Sequence, residues 1–206
     1  MKGAEKINQT RSRWTLVLLV ALFASPIILA IIVYNNKSLI PTSTKNKGEL
    51  VQPARPLPEL ELITFDAKKF VTEDFRHLWS ILYFAPATCD TQCNESLTNM
   101  RNIRLAQAGE ALRVQYFLIF NTMPDKSSLQ ELIKQHPRMI ILSGPEAELA
   151  KLKMTFSIEP AVSVFDAQQI YLLDPIGNLM MYYKKGAPGA NLLKDLKYLM
   201  HWSQVG

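Results

Sequence analysis

The residues from Trp14 to Tyr34 carry no charge, and the uncharged stretch extends from Arg13 to Lys37. A run of about 20 apolar residues is long enough to cross the hydrocarbon core of a bilayer as a helix. No soluble body of this size has an obvious place for such a run, so it constrains the fold more than any other feature. Trp14 and Tyr34 bracket it, where an aromatic belt would lie. Pro26 falls midway and would kink a helix without excluding a span, because prolines are tolerated there. A cleaved secretory signal would have a shorter apolar core and a small-x-small site after it, and neither is present. The expectation is an uncleaved anchor in contact with membrane lipid through residues 14–34.

Charge around the run sets orientation. Lys2, Lys6, Arg11 and Arg13 precede it, whereas Lys37, Lys45 and Lys47 are the nearby basic residues after it. The excess on the short side places the N-terminus in the cytoplasm and the rest of the chain in a periplasm-like space. No Arg-rich, acid-poor transit segment is seen, which points to a bacterial inner membrane. Residues 1–55 hold eight Lys/Arg against two Asp/Glu, and residues 56–206 hold the other 15 against 16. The basic excess therefore belongs to the anchor and its flanks. The body, at net −1, has no overall attraction for phosphate chains, so no nucleic-acid partner is expected.

The expected organisation is a tail over 1–13, a transmembrane helix over 14–34, a polar tether with Pro41, Pro53, Pro56 and Pro58 over 35–58, and a folded body over 59–206. Part of the tether can form an extended edge. Within the body, strands are expected at about 60–65, 78–84, 114–120, 139–142, 170–173 and 179–183. Helices are expected from the cysteine turn to about Ala108, over 126–136 with capping-box spacing between Ser128 and Glu131, over 146–153, and at the C-terminus with Leu192, Leu196, Leu199 and Met200 on its apolar face. Asp174-Pro175-Ile176-Gly177-Asn178 reads as the turn of a hairpin. Alternating strands and helices imply parallel strands with helices on both faces, plus an antiparallel hairpin at one edge.

The two cysteines of the chain, Cys89 and Cys93, sit between the strand ending at Phe84 and the helix in which Leu97, Met100, Ile103 and Ala106 share a face. A strand-to-helix turn aims both thiols at the mouth of the sheet, near the positive end of a helix dipole that favours thiolate. A body of about 150 residues buries a sufficient core without staples, which favours a functional pair. A structural disulfide is the other reading, and spacing does not separate the two.

This pattern resembles a thioredoxin-like fold, a central mixed sheet with helices on both faces. More narrowly, Trp79 to Phe84 followed by Cys-x-x-x-Cys, and the later Tyr171-Leu172-Leu173-Asp174-Pro175-Ile176-Gly177, resemble the Sco/SenC family of membrane-anchored copper chaperones for cytochrome c oxidase assembly. The likeness is strongest to a divergent branch of small transmembrane proteins tied to haem-copper oxidase genes. It implies a cytochrome oxidase subunit or another assembly factor as partner, and copper as the metal handled. The family completes its copper site with a histidine shortly before the Tyr-Leu strand; here that position is Asp166, a hard oxygen donor ill suited to Cu(I). His77 precedes the strand whose far end leads to Cys89, about 20 Å away at 3.3 Å per residue. His136 is expected at the far edge and His201 on the surface of the last helix. Met100, Met180 and Met181 are expected in the core.

Three functions follow as expectations. Cys89 and Cys93 handle Cu(I) as a two-thiolate pair, with Asp166 a lesser candidate ligand. Or Cys89, expected as the more exposed thiol, attacks a partner disulfide and Cys93 resolves it, in the manner of a thiol-disulfide oxidoreductase. Or the pair is a structural disulfide in a membrane-tethered assembly scaffold. No cofactor besides copper is expected.

Overall fold

The structure is a computed structural model that describes residues 2–36, 45–86 and 89–203, without the side chains of 2–12 and of Ser128. The chain divides into two compact units, Met1–Lys45 and Asn46–Gly206. The first is built on helix α1, Lys2–Asn35, with Pro26 inside it. Its stretch Arg13–Asn35 is long and apolar enough to cross a membrane, with a mean hydropathy of 3.1.

The second unit is one eight-stranded sheet with helices on both faces. Its strands are β1 (Glu49–Pro56), β2 (Glu61–Thr64), β3 (Lys69–Val71), β4 (Trp79–Phe84), β5 (Val114–Ile119), β6 (Ile140–Ser143), β7 (Ile170–Leu173) and β8 (Asn178–Tyr183). Its helices are α2 (Thr91–Leu105), α3 (Lys126–Gln135), α4 (Glu146–Phe156) and α5 (Gly189–Trp202). The strand order is β1-β8-β7-β4-β5-β6-β2-β3. Strands β4, β5 and β6 run parallel, and β7 lies antiparallel against β4. The expected mixed α/β sheet is thus observed.

Alternation along β4 sorts the core into two. Trp79, Ile81 and Tyr83 face α2, α3 and α5, in a core with Leu97, Met100, Leu129 and Leu196. Leu82 and Phe84 face α4, in a core with Leu149, Leu152 and Phe156. Every residue of β4 is buried, as a central strand covered on both faces must be.

The hairpin β7–β8 differs from the simple edge that the sequence suggests. All four residues of β7 are buried, and β8 is covered in turn by β1. An apolar strand such as Ile-Tyr-Leu-Leu is stabilised between partners, and the edge goes to β1, whose prolines tolerate a position with missing donors. The sheet therefore takes in Glu49–Pro56, the latter part of the stretch expected as a tether; residues 37–44 of that stretch lie outside the described residues. A buried carboxylate fixes the entry point. Asp195 on α5 accepts from the backbone N–H of Lys47 at 2.8 Å, of Gly48 at 2.7 Å, and from the Tyr183 hydroxyl at 2.9 Å. Gly48 is required there, because a Cβ would stand 2.6 Å from the Tyr183 ring.

Helix α2 stops at Leu105, before Ala108, and a 3-10 helix, Ala108–Arg113, follows. Ala108 adopts a positive φ, so the reversal comes ahead of Gly109. The side-chain bond proposed for Ser128 lies outside the described residues; the N-cap of α3 is Asp125.

Candidate functional site

The carboxyl ends of parallel strands are where open α/β sheets place their sites. Beyond the end of β4 lies Cys89, disulfide-bonded to Cys93 with the two Cα atoms 5.2 Å apart. The two sulfurs are not equivalent. Cys89 precedes α2 and is exposed, whereas Cys93, in the first turn of α2, is 1 % exposed and packs into the core with Leu97 and Tyr83. The sequence expectation that both thiols face the mouth of the sheet is corrected in this respect: the third residue of a helix that lies on the sheet points inward.

Asp90 sits between them and caps α2. Its Oδ1 accepts from the Cys93 N–H at 2.8 Å, and its Oδ2 accepts from the Gln168 side-chain amide at 3.0 Å. The Gln168 hydrogen bond and then the Cys93 N–H hold the Asp90 carboxyl below the usual carboxylate range, with Lys185 adding to the effect. The helix start therefore meets a carboxylate, with the Cys93 N–H bonded to Asp90 rather than to sulfur. Asn94 places Oδ1 3.6 Å from Cys89 Sγ, within reach of a thiol proton once the pair is reduced. Burial, with Asp90 adding to it, pushes the Tyr83 phenol beneath the turn up to about 12.

Gln168 reaches Asp90 from the loop before β7. It is 7 % exposed, has φ near 49°, and leaves its Oε1 buried without a hydrogen-bond partner. A non-glycine residue held in the left-handed region marks a place where the surroundings dictate the backbone. Phe165 in the same loop packs edge-on against Phe84, 5.3 Å between ring centres, which ties the loop to the strand that delivers the cysteines.

A cleft of about 530 Å³ opens beside the disulfide, lined by Cys89, Cys93, Leu97, Leu129, Leu132 and Phe120 among others. Asp166 is exposed in the loop before β7 and lines a different cleft, with Lys153, Ser163 and Asn121. Ala85, Phe120 and Pro124 line both clefts and stand between them. The structure thus brings Cys89 and Cys93 together and leaves Asp166 apart. Among the described residues, no group of three His, Cys, Asp or Glu side chains could hold a metal ion. His77 pairs with Glu73 at the opposite end of β4. His136 is buried at the end of α3, where burial and then Arg101 push its imidazole down. His201 is exposed on α5. Met100 and Met181 are core residues, as expected.

The donor set fits a soft ion only in part. Reduction would free two thiolates, ligands that suit Cu(I), while the side chain that bonds to Cys89 Sγ is the Asn94 amide, a hard oxygen donor. Asp90 and Gln168 escaped the sequence reading in different ways. An Asp immediately before Thr-Gln-Cys carries an N-cap signal, but nothing local marks Gln168.

A family model described as "Transmembrane-like, thioredoxin-like, C-terminal domain" matches residues 79–203. A Stutzerimonas stutzeri protein, named "Putative copper-binding protein", is 25 % identical over 153 residues, covering 72 % of this chain and 74 % of its own. Yeast Sco1 with copper bound superimposes with a TM-score of 0.61 at 16 % identity, over 73 % of this chain and 95 % of that one. BsSco superimposes with a TM-score of 0.56 at 15 % identity, over 73 % and 96 %. BsSco is described as a member of the Sco family of cytochrome c oxidase assembly proteins that holds a disulfide switch. The solved structures establish a shared thioredoxin-like fold, and the resemblance to Sco proteins read from the sequence is borne out.

Proposed function

We propose a function for a chain that belongs to the transmembrane-like, thioredoxin-like family through its C-terminal domain: a membrane-anchored thiol–disulfide exchange factor in haem-copper oxidase biogenesis. One observation carries the chemistry. An exposed Cys89 is bonded to a buried Cys93 at the start of α2, with no histidine beside them among the described residues. In the reduced chain Cys89 attacks a client disulfide, forming a mixed disulfide and releasing one client thiolate. Cys93 then attacks Cys89 Sγ and releases the second. The client gains two electrons and the chain is left in the disulfide state; a dithiol reductant resets it. The client in this reading is the cysteine pair of an oxidase copper subunit, which accepts metal only when reduced.

The apolar helix Arg13–Asn35 supports anchoring, and the basic residues before it support a cytoplasmic N-terminus with the body in the periplasm of a bacterial inner membrane. Likeness to Sco proteins supports the oxidase process.

A second reading rests on the soft donor pair: the reduced chain carries Cu(I) between Cys89 and Cys93, as cargo. Asp166 has no part in it, being a hard oxygen donor across Phe120 and Pro124. One experiment separates the readings. The full chain is reduced anaerobically and titrated with Cu(I), and the Cys89–Cys93 potential is measured against glutathione. A potential near those of thiol oxidoreductases without stoichiometric copper supports exchange. Stoichiometric copper, lost in Cys89→Ser and in Cys93→Ser, supports carriage. No copper with a potential below about −300 mV returns the pair to a structural disulfide in an assembly scaffold.

A further inference from the structure

The cleft beside the disulfide has more apolar surface than thiol chemistry alone requires. Leu97, Leu118 and Leu129 form its buried walls, and Phe120 and Leu132 are its partly exposed apolar side chains. Helix α3 supplies Leu129 and Leu132, α2 supplies Leu97, and β5 leads into Phe120. The sulfurs of Cys89 and Cys93 are part of the same lining. Asn94, Glu131 and Gln135 supply its polar members.

We infer that this cleft seats an apolar side chain flanking the reacting cysteine of a client polypeptide; the inference rests on the exchange reaction proposed above. A cysteine bonded to Cys89 has its Cα within about 4.4–6.8 Å of the Cys89 Cα. The next residue of an extended client follows 3.8 Å further on. Phe120 and Leu132 line the same cleft as Cys89, so the cleft is the apolar surface open to that side chain. The occupant is set by what lines the cleft: the sulfur wall requires a thiol or disulfide, and the hydrocarbon beside it discriminates by the neighbouring side chain. A small soluble thiol such as glutathione has nothing to place there. Selectivity among disulfides would thus come from α3, an element that carries none of the reacting atoms.

The test uses the reduced full chain in lipid nanodiscs and two pentapeptides. Each carries its central cysteine as a nitrothiobenzoate mixed disulfide, flanked by leucines in one peptide and by serines in the other. Cys89 thiolate attacks the peptide sulfur, the bond to nitrothiobenzoate breaks, and that coloured thiolate leaves with the electron pair. Cys93 then displaces the peptide thiolate. Two electrons pass from the chain to the mixed disulfide. The leucine peptide is expected to react about tenfold faster, the discrimination a hydrophobic pocket gives. That ratio falls towards one in Leu132→Ser and persists in Tyr198→Ser, an exposed position on α5 outside the cleft. Cys93→Ser retains the leucine peptide as an adduct visible by mass. Equal rates for the two peptides, or a ratio unchanged in Leu132→Ser, overturn the seat but leave the exchange reaction standing. Release from neither peptide overturns both.

Discussion

The Gln168 side-chain amide donates to Asp90 Oδ2 at 3.0 Å, joining the loop before β7 to the turn that carries both cysteines, 78 residues earlier in the chain. Asp90 in turn holds the Cys93 N–H with its other oxygen. One carboxylate therefore couples two segments that meet only in the folded body.

Replacing Gln168 should separate its two roles. Gln168→Ala and Gln168→Gly both remove the donor, so hydrogen exchange at the Cys93 amide should quicken alike in the two. They should differ in stability. Alanine keeps the strained positive φ, and glycine accepts it, so the glycine variant should be more stable by about 1 kcal/mol in urea unfolding. Equal stabilities would mean that the loop relaxes once Gln168 is gone.

Asp90→Asn keeps a good capping residue and removes the negative charge next to Cys89. The unpartnered Gln168 Oε1 can turn to accept from the new amide, so the turn stays fully bonded. Without the carboxylate the reduced pair is less disfavoured, and the potential should rise by on the order of 20–30 mV. The Asp90 carboxyl is held below its ordinary range, so its contribution to stability is present above that range and is lost as pH falls through the lowered value. Acid titration of stability should flatten correspondingly in Asp90→Asn; an unchanged potential would argue that solvent screens the charge.

His136 should give a second, separate pH dependence. Burial, then Arg101, lowers its imidazole from 6.5. The unfolded chain binds the proton more readily, so stability is full above the ordinary imidazole value and declines as pH drops through the lowered one. The urea midpoint should fall between about pH 7.5 and about pH 5.5, and His136→Gln should remove most of that fall.

Asp195→Ala should loosen the edge of the sheet. Two backbone donors and the Tyr183 hydroxyl lose a buried acceptor. A cost of about 3 kcal/mol is expected, from hydrogen bonds to a buried charge. Exchange should rise first at residues 47–51. If protection there is unchanged, pairing of β1 with β8 suffices without the clasp.

Much of the body was legible because its signals are local. Strand β4 shows as an apolar run interrupted only by Ser80, and the turn at Asp174–Asn178 shows in its residue types. The helix face of Leu97, Met100 and Ile103 shows in its spacing and is buried, whereas Ala106, read onto the same face, is the exposed C-cap of α2. What the sequence left open was context. The prolines that make residues 53–58 look like a linker also suit an edge strand, and only the presence of β8 alongside decides between them. The cysteine spacing located the candidate site; the difference between an exposed and a buried sulfur comes from the core under α2.

By itself the sequence determined the apolar helix, the alternating strands and helices, and the cysteine pair at a strand-to-helix turn, because each is written in contiguous residues or in a period of two or 3.6. It also puts Asp166 where the Sco proteins that the chain resembles were expected to have a histidine. Only the tertiary structure decided that Cys93 is buried under α2, that Asp166 lies across Phe120 from the pair, and that Gln168 and Asp90 hold the turn. These depend on contacts between residues far apart in the chain, fixed by how the two faces of one sheet are packed.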